Sequence, residues 1–496
     1  MDYLLLFNQY KNRQSAQKQP QQRLLYNCLR ESILNGQLSG GTRMLGSRSL
    51  ALELKLARNS VLYAYEHLVT EGLLITKGRQ TWVSYINTKR ADVLVTTKST
   101  TMPLSSRAQL RHLPIDPNDT ITTFVTGVPA LAEFPLQLWR RYIERAWRKI
   151  HYQQLNYGDA SGEPLLRAAI ADHLTSTRGV ICSMEQIVIT DGTQHSLDLC
   201  AYALAGAGDT AWIENPSYTG VHQAFKAAEL NVQGINVDEN GMAPSENDWL
   251  RHPPKLIYTT PSHQFPLGSV MSVARRLALI EAAKTHGAII IEDDYDSEFR
   301  RDGPPMPAMQ GLAADAPVVY LGTFSKTLFP ALRIGFMVLP AGLVTPFTEM
   351  LRQRCPRGRS ADQLALADFL RSGQFAIHLR KMRRLYAQRR DTLVAGIETL
   401  LGDIVKIYGG SSGIHLTIEL PNALSDEAIS KAALTNNICA TPISLLATGA
   451  ILHKGLMLGY AQTRVEHIPH AVAVLAGIIR RALSEQTLLP ATKKEN

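Results

Sequence analysis

From Gln21 the apolar residues of QQRLLYNCLRESILNG recur on one helical face between Leu24 and Leu34, and the run stops at Asn35-Gly36, a helix-ending pair. The next segment, SRSLALEL, sets Leu50 and Leu54 at i, i+4 with Ser47 as N-cap. Three residues later, RNSVLYAYEHLVTEGLL places Val61, Ala64, Tyr65 and Leu68 at i, i+3, i+4 and i+7. Two short helices across so tight a turn predict a helix-turn-helix. LLITKGRQTWVS then alternates apolar and polar residues around Lys77-Gly78, predicting a two-stranded wing with a basic tip. Residues 85–120 lack sustained periodicity and are rich in Thr, Ser and Pro, the pattern of a tether. From 121 to 485 branched apolar runs (QIVIT, KLIYTT, AIIIEDD, VVYLGT) alternate with helical stretches such as SVARRLALIEAAKTHG. That alternation predicts an α/β body with a mainly parallel sheet, and a polar tail follows at 486–496.

Charge separates the two parts. The chain carries a formal +9, yet residues 1–90 hold 13 Lys/Arg against 5 Asp/Glu, which leaves +1 for the rest. A concentrated positive segment beside a near-neutral body points to a polyanion as the partner of that segment alone. The five cysteines, Cys28, Cys182, Cys200, Cys355 and Cys439, are scattered, odd in number and never form a C-x-x-C pair, which argues against a disulfide framework or a zinc knuckle and for a reducing compartment. No apolar run reaches membrane-spanning length and the start resembles no signal peptide, so a cytoplasmic protein without a membrane partner is expected.

The chemistry gathers at strand ends, where parallel sheets deliver ligand-binding residues. QIVIT leads into Gly192, Thr193 and Gln194, whose backbone N–H groups make an anion site at a helix start. AIIIE leads into Asp293-Asp294-Tyr295-Asp296, and VVYLG into Thr323-Phe324-Ser325-Lys326, with Arg333 seven residues on. One chemistry needs all three. Pyridoxal phosphate (PLP) requires an amine for its Schiff base, a carboxylate to hold its pyridine nitrogen protonated, and donors for its phosphate.

The N-terminal segments ILNGQLSGGTRM, SRSLALEL and ARNSVLYAYEHLVTEGLL with the wing resemble the winged-helix domain of GntR-family regulators over about residues 21–84. LNYGDASGEPLLRAAIADHL, ENPSYTG, IIIEDDYDSEFR and GTFSKTLFPALRIGF resemble a fold-type I aminotransferase. The combination is similar to the MocR subfamily of transcriptional regulators. The resemblance implies domains at 1–84 and 121–485 joined by the tether. It implies base contacts by Arg58, Asn59 and Ser60, with Arg48 and the wing tip at Gly78 on backbone and minor groove; these residue types suit that work. It implies Lys326 as Schiff-base lysine, Asp293 on the pyridine nitrogen, Tyr295 on the ring oxygen and Tyr218 stacked on the ring. The phosphate site is then Gly192, Thr193, Gln194, Thr323, Ser325 and Arg333, with Tyr157 reaching it from the partner of a head-to-tail homodimer. Asp294 and Asp296 have no cofactor role in this mapping, and solvation or a helix cap accounts for them.

Departures from the pattern bear on function. Gly46 replaces a proline before the second helix, and Gln80 replaces the second wing glycine. The arginine that grips a substrate carboxylate in aminotransferases is Met457 in LMLGYAQ, the asparagine beside the ring oxygen is Phe265 in SHQFPLG, and Gly220 offers no carboxylate clamp. Cofactor binding survives these changes better than transamination does. The expectation is a PLP-binding, DNA-binding transcriptional regulator that senses PLP or an amine or amino-acid ligand, reads repeated half-sites on double-stranded DNA, and controls vitamin B6 or amino-acid metabolism genes. The alternative is an active aminotransferase with an appended nucleic-acid module.

Overall fold

The computed structural model describes residues 2–13, 19–78, 80–85, 105, 107, 123–301, 303, 306–313, 315–354 and 358–487. The chain divides into two compact units, residues 1–103 and 104–496. The expected tether 85–120 lies outside the described residues except at 85, 105 and 107, and the expected tail is described only at 486 and 487, where the last helix ends.

The first unit holds helices α1 (Tyr3–Arg13), α2 (Gln21–Leu34), α3 (Ser47–Leu54) and α4 (Arg58–Thr70). Strands β1 (Leu74–Lys77) and β2 (Gln80–Val83) follow, pairing antiparallel with Leu74 opposite Val83. The periodic residues meet in one core: Leu25, Leu29, Leu50, Val61 and Leu68 are all buried. Each full burial is worth roughly 1.5–3 kcal/mol, which lets helices this short persist. Two details differ from the sequence pattern. Ser47 is the first helical residue rather than the cap; the N-cap is Gly46, in extended conformation and without a side chain to cap. The added helix α1 packs Tyr3 and Phe7 into the same core, and its Tyr3 N–H donates to Glu53 Oε1 at 3.1 Å.

The second unit is built on an eight-stranded sheet. Its strands are β3 (Ile187–Thr190), β4 (Thr210–Asn215), β5 (Asn231–Asp238), β6 (Gly241–Met242), β7 (Leu256–Thr259), β8 (Ile289–Asp294), β9 (Val318–Thr323) and β10 (Gly335–Val338). They lie in the order β3-β10-β9-β8-β7-β4-β5-β6. From β5 to β9 neighbours run parallel, while β10 runs antiparallel between β9 and β3. Helices on the faces explain why β3, β7 and β9 are buried at every position and read as continuous apolar runs. Among the crossovers, Val273–His286 is capped by the Ser272 side chain and stopped by left-handed Gly287. A smaller antiparallel sheet, with β11 (Lys406–Gly409), β12 (His415–Glu419), β13 (Thr441–Pro442) and β14 (Gly455–Gly459), lies in the order β11-β12-β14-β13. It buries Leu416, Ile418, Leu456 and Leu458 in one core with Leu393 and Ile397 of the Gln374–Leu401 helix and Leu475 of the Ile468–Thr487 helix.

Candidate cofactor pocket and nucleic-acid interface

Adjacent parallel strands bring the sequence-predicted groups together. β8 and β9 pair Asp293 with Leu321 and Asp294 with Gly322, so the DYD and FSK segments leave the sheet side by side. The antiparallel β10 joins β9 to β3, which brings in the loop at Gly192. The resulting chamber, about 750 Å³ of atom-free space including its mouth, is lined by Thr193, Gln194, Tyr218, Asp293, Tyr295, Thr323, Ser325, Lys326 and Arg333. Gly127, Tyr258, Phe265, Ile414 and His415 complete the lining.

Lys326 Nζ donates to the Gly127 carbonyl at 2.8 Å. Burial holds its pKa below the usual lysine value, with Arg333 adding to the effect and Asp296 and Asp293 opposing it. The amine is thereby brought toward its neutral, nucleophilic form. Asp293 Oδ2 accepts from the Tyr258 hydroxyl at 2.8 Å, whereas Oδ1 is buried with no hydrogen-bond partner. Burial pushes this carboxyl up to about 7. A buried carboxylate with one unpartnered oxygen is suited to a cationic N–H donor.

The anion cradle forms at the start of the Thr193–Leu204 helix, where Gly192 is the N-cap at φ 98°. That left-handed turn is one a side chain resists, and it leaves the first backbone N–H groups of the helix without intrahelical acceptors. The Arg333 guanidinium sits over it: a Cβ on Gly192 would lie 3.4 Å from Arg333 Cζ. Arg333 itself has φ 49°. A non-glycine residue in that region costs about 1–3 kcal/mol and persists where the surroundings hold it, often at a ligand site. The Ser325 N–H donates to Thr323 Oγ1 at 3.2 Å, and the Gln194 side chain is tied to the Gly220 carbonyl at 3.1 Å. Gln194 therefore offers the cradle its backbone. Tyr218 meets Phe265 edge to face, ring centroids 6.0 Å apart. Tyr157 is 79% exposed and does not line this chamber.

In the first unit Arg48, Arg58 and Asn59 are exposed, Ser60 is half-buried, and Gly78 is exposed at the wing turn with φ 64°. Arg58 and Asn59 are the first two residues of α4, so their side chains project from its N-terminal end.

A model of the class I and II aminotransferase family matches residues 130–475. A probable rhizopine catabolism regulatory protein, MocR of Rhizobium meliloti, is 38% identical over 89% of this chain and 90% of its own length. The chain belongs to the MocR subfamily of transcriptional regulators. Like its relatives, this MocR-type chain is a helix-turn-helix regulator carrying an aminotransferase domain, which favours that reading over an enzyme with an appended module. The pyridoxine biosynthesis regulator PdxR of Corynebacterium glutamicum is 30% identical over 87% of this chain and 90% of that protein. The kynurenine aminotransferase of Pyrococcus horikoshii, solved with PMP, superposes with a TM-score of 0.68 at 26% identity, covering 74% of this chain and 92% of that one. Among the described residues no helix is long and apolar enough to cross a membrane.

The departures acquire physical reasons in the MocR-type body. Gly220 is needed for close approach, since a Cβ there would lie 2.3 Å from the Tyr218 ring and 2.4 Å from Gln194 Oε1. Met457 is buried in β14 opposite Thr417 and Thr441, and Arg333 is the only arginine lining the chamber among the described residues. Asp294 and Asp296 are neither solvated nor side-chain caps: both are buried, and the turn after Asp296 has no side-chain cap. Asp294 Oδ2 accepts from Arg178 Nε at 2.8 Å and from the Tyr320 hydroxyl at 2.6 Å, a buried ion pair bracing β8. Sequence reasoning missed Gly127, Tyr258, Ile414 and His415 as lining residues. Only His415, a polar residue opening the apolar run HLTIEL, carried a local signal.

Proposed function

We propose that the body binds pyridoxal 5′-phosphate at Lys326 and that loading, or an amine or amino-acid ligand that meets the cofactor there, alters the affinity of the winged helix for double-stranded DNA. The observation that carries the reading is the unpartnered, buried Oδ1 of Asp293 in the same chamber as the half-buried amine of Lys326. In this reading Asp293 holds a proton on the pyridine nitrogen and Tyr295 donates to the ring oxygen. Tyr218 covers the ring face, while the Gly192–Gln194 backbone, Thr323, Ser325 and Arg333 hold the phosphate. Bound there, the cofactor supplies a reactive carbonyl and an electron sink. With Arg333 committed to phosphate and Met457 in place of the carboxylate anchor, the site favours a sensor over steady turnover. The relatives' names, one for pyridoxine biosynthesis and one for rhizopine catabolism, support vitamin B6 or amino-acid and amine metabolism genes as targets.

For the sensor to act, loaded and unloaded states must differ in DNA affinity, and the coupling is reciprocal. A winged helix at 1–84 tethered by 85–120 to a head-to-tail homodimeric body at 121–485 would read two repeated half-sites in the cytoplasm. Tyr157, exposed in the single chain, would then reach the partner's phosphate site. Titration with PLP, borohydride reduction and peptide mapping tests the site: label confined to the Lys326 peptide supports it, and label on surface lysines alone refutes it.

A further inference from the structure

Asp296, which the cofactor mapping left without a role, sits in a buried polar cluster beside the chamber. Its two oxygens both lie 3.1 Å from His263 Nδ1, and the Tyr295 hydroxyl is 3.1 Å from that same nitrogen. The hydroxyl's single proton points to the His263 carbonyl at 2.9 Å, so donation to the ring oxygen of a bound cofactor requires that proton to turn from the carbonyl to the ring. His263 and Asp296 are 2% and 1% exposed, so water does not compete for these bonds. A carboxylate against Nδ1 fixes the proton on that nitrogen. The Nδ1–H is thus a donor shared between Asp296 and the oxygen of Tyr295.

We propose that His263 and Asp296 act through Tyr295 as positioning residues that set how strongly its phenol donates to the ring oxygen of the cofactor; this rests on the function proposed above. A phenol that accepts a hydrogen bond is polarised into a better donor. The neighbouring side chains cannot do this. Gln264 is committed to Glu214, to the Pro216 carbonyl and to its neighbour's carbonyl, and Phe265 has no donor. The carboxylates that act on Tyr295, namely Asp296, Asp293, Glu214 and Asp294, add to burial in pushing its phenol well above the ordinary range, which keeps its proton in place to donate. Lys326 lines the same chamber and is held by the Gly127 carbonyl. His415, its ring stacked 6.5 Å from that of Tyr295 at 17°, is held well below the usual histidine pKa by burial and by His263, so it remains neutral. His263 is the donor left to tune the phenol.

The test is a pH titration of the absorbance of the PLP-loaded full-length protein. A stronger phenol donor stabilises negative charge on the ring oxygen and so loosens the chromophore's proton. His263→Phe should therefore raise the midpoint by at least about half a unit, roughly threefold in proton affinity. His263→Asn, whose amide N–H can stand where Nδ1–H stood, should return it to the wild-type value. In a Tyr295→Phe background His263→Phe should have no further effect. An unchanged midpoint in His263→Phe overturns the inference, as does a full shift that persists without the Tyr295 hydroxyl. His263→Leu replaces the phenylalanine variant if that does not fold. Failure of the wild-type protein to develop a protonation-dependent band with PLP refutes instead the function on which the inference rests.

Discussion

Replacing Asp293 with asparagine should move stability and cofactor affinity in opposite directions. In the cofactor-free protein burial raises this carboxyl from 3.8 to about 7, outweighing the Tyr258 hydrogen bond and the attraction of Lys326. The folded state therefore keeps a proton that the unfolded chain has lost. Stability is lost as pH climbs from about 4 to about 7 and is then flat. At roughly 1.36 kcal/mol per pK unit, the three-unit displacement costs at most about 4 kcal/mol at pH 8, of which about 2.5 kcal/mol appears between pH 5 and pH 8. The replacement amide would still accept from Tyr258 yet carry no charge to bury. Asp293→Asn should thus melt above the wild type without cofactor, with the gap widening from pH 5 to pH 8. With PLP the order should narrow or reverse, because the lost charge-assisted bond to the pyridine nitrogen is worth about 1.5–3 kcal/mol, or some 10- to 150-fold in affinity. Scanning calorimetry at the two pH values with and without PLP decides it. A stability difference that does not grow with pH would show that Asp293 is not held protonated by burial, and a variant that binds PLP as tightly as wild type would show that Asp293 makes no charged bond to the pyridine nitrogen.

Other outcomes follow from the same geometry. Arg58→Ala or Asn59→Ala should cost about 1–3 kcal/mol of discrimination against mismatched operators while leaving PLP binding intact, as read by fluorescence anisotropy on matched and mutated sites. Gly220→Ala should displace Tyr218, whose ring a Cβ would approach to 2.3 Å, and weaken PLP binding at least about tenfold, the equivalent of 1.4 kcal/mol. An unaltered PLP titration would show that Tyr218 makes no contribution to binding.

What the sequence made legible was local. Helix α4 could be read from Val61, Ala64, Tyr65 and Leu68, and the α/β body from its branched runs, because each of those patterns is set by neighbours along the chain. Helix α1 was not, since the contiguous apolar residues of YLLLF match no single helical face: Tyr3 and Phe7 are buried, Leu6 and Tyr10 pack at the edge of the core, and Leu4 and Leu5 are exposed. The Ser47 cap was misplaced by one residue, within the ordinary scatter of helix ends. The antiparallel turn of β10, which brings Gly192 and Arg333 to the lysine strand, depends on pairing across more than 100 residues. The same holds for Lys326 with the Gly127 carbonyl, while Asp293 with Tyr258 and Asp296 with His263 join segments from different strand ends. Asp296 read as solvated because a lone carboxylate after a strand carries no mark of a buried partner 33 positions earlier.

In the function proposed above, the cofactor chamber governs DNA binding. The most direct measurement is a titration of the full-length protein against the DNA upstream of its own gene, with and without PLP, with Lys326→Ala beside the wild type. Affinity or footprint should change with PLP in the wild type and not in Lys326→Ala, with two protected half-sites per dimer. Tight binding that is indifferent to PLP in both proteins would contradict it.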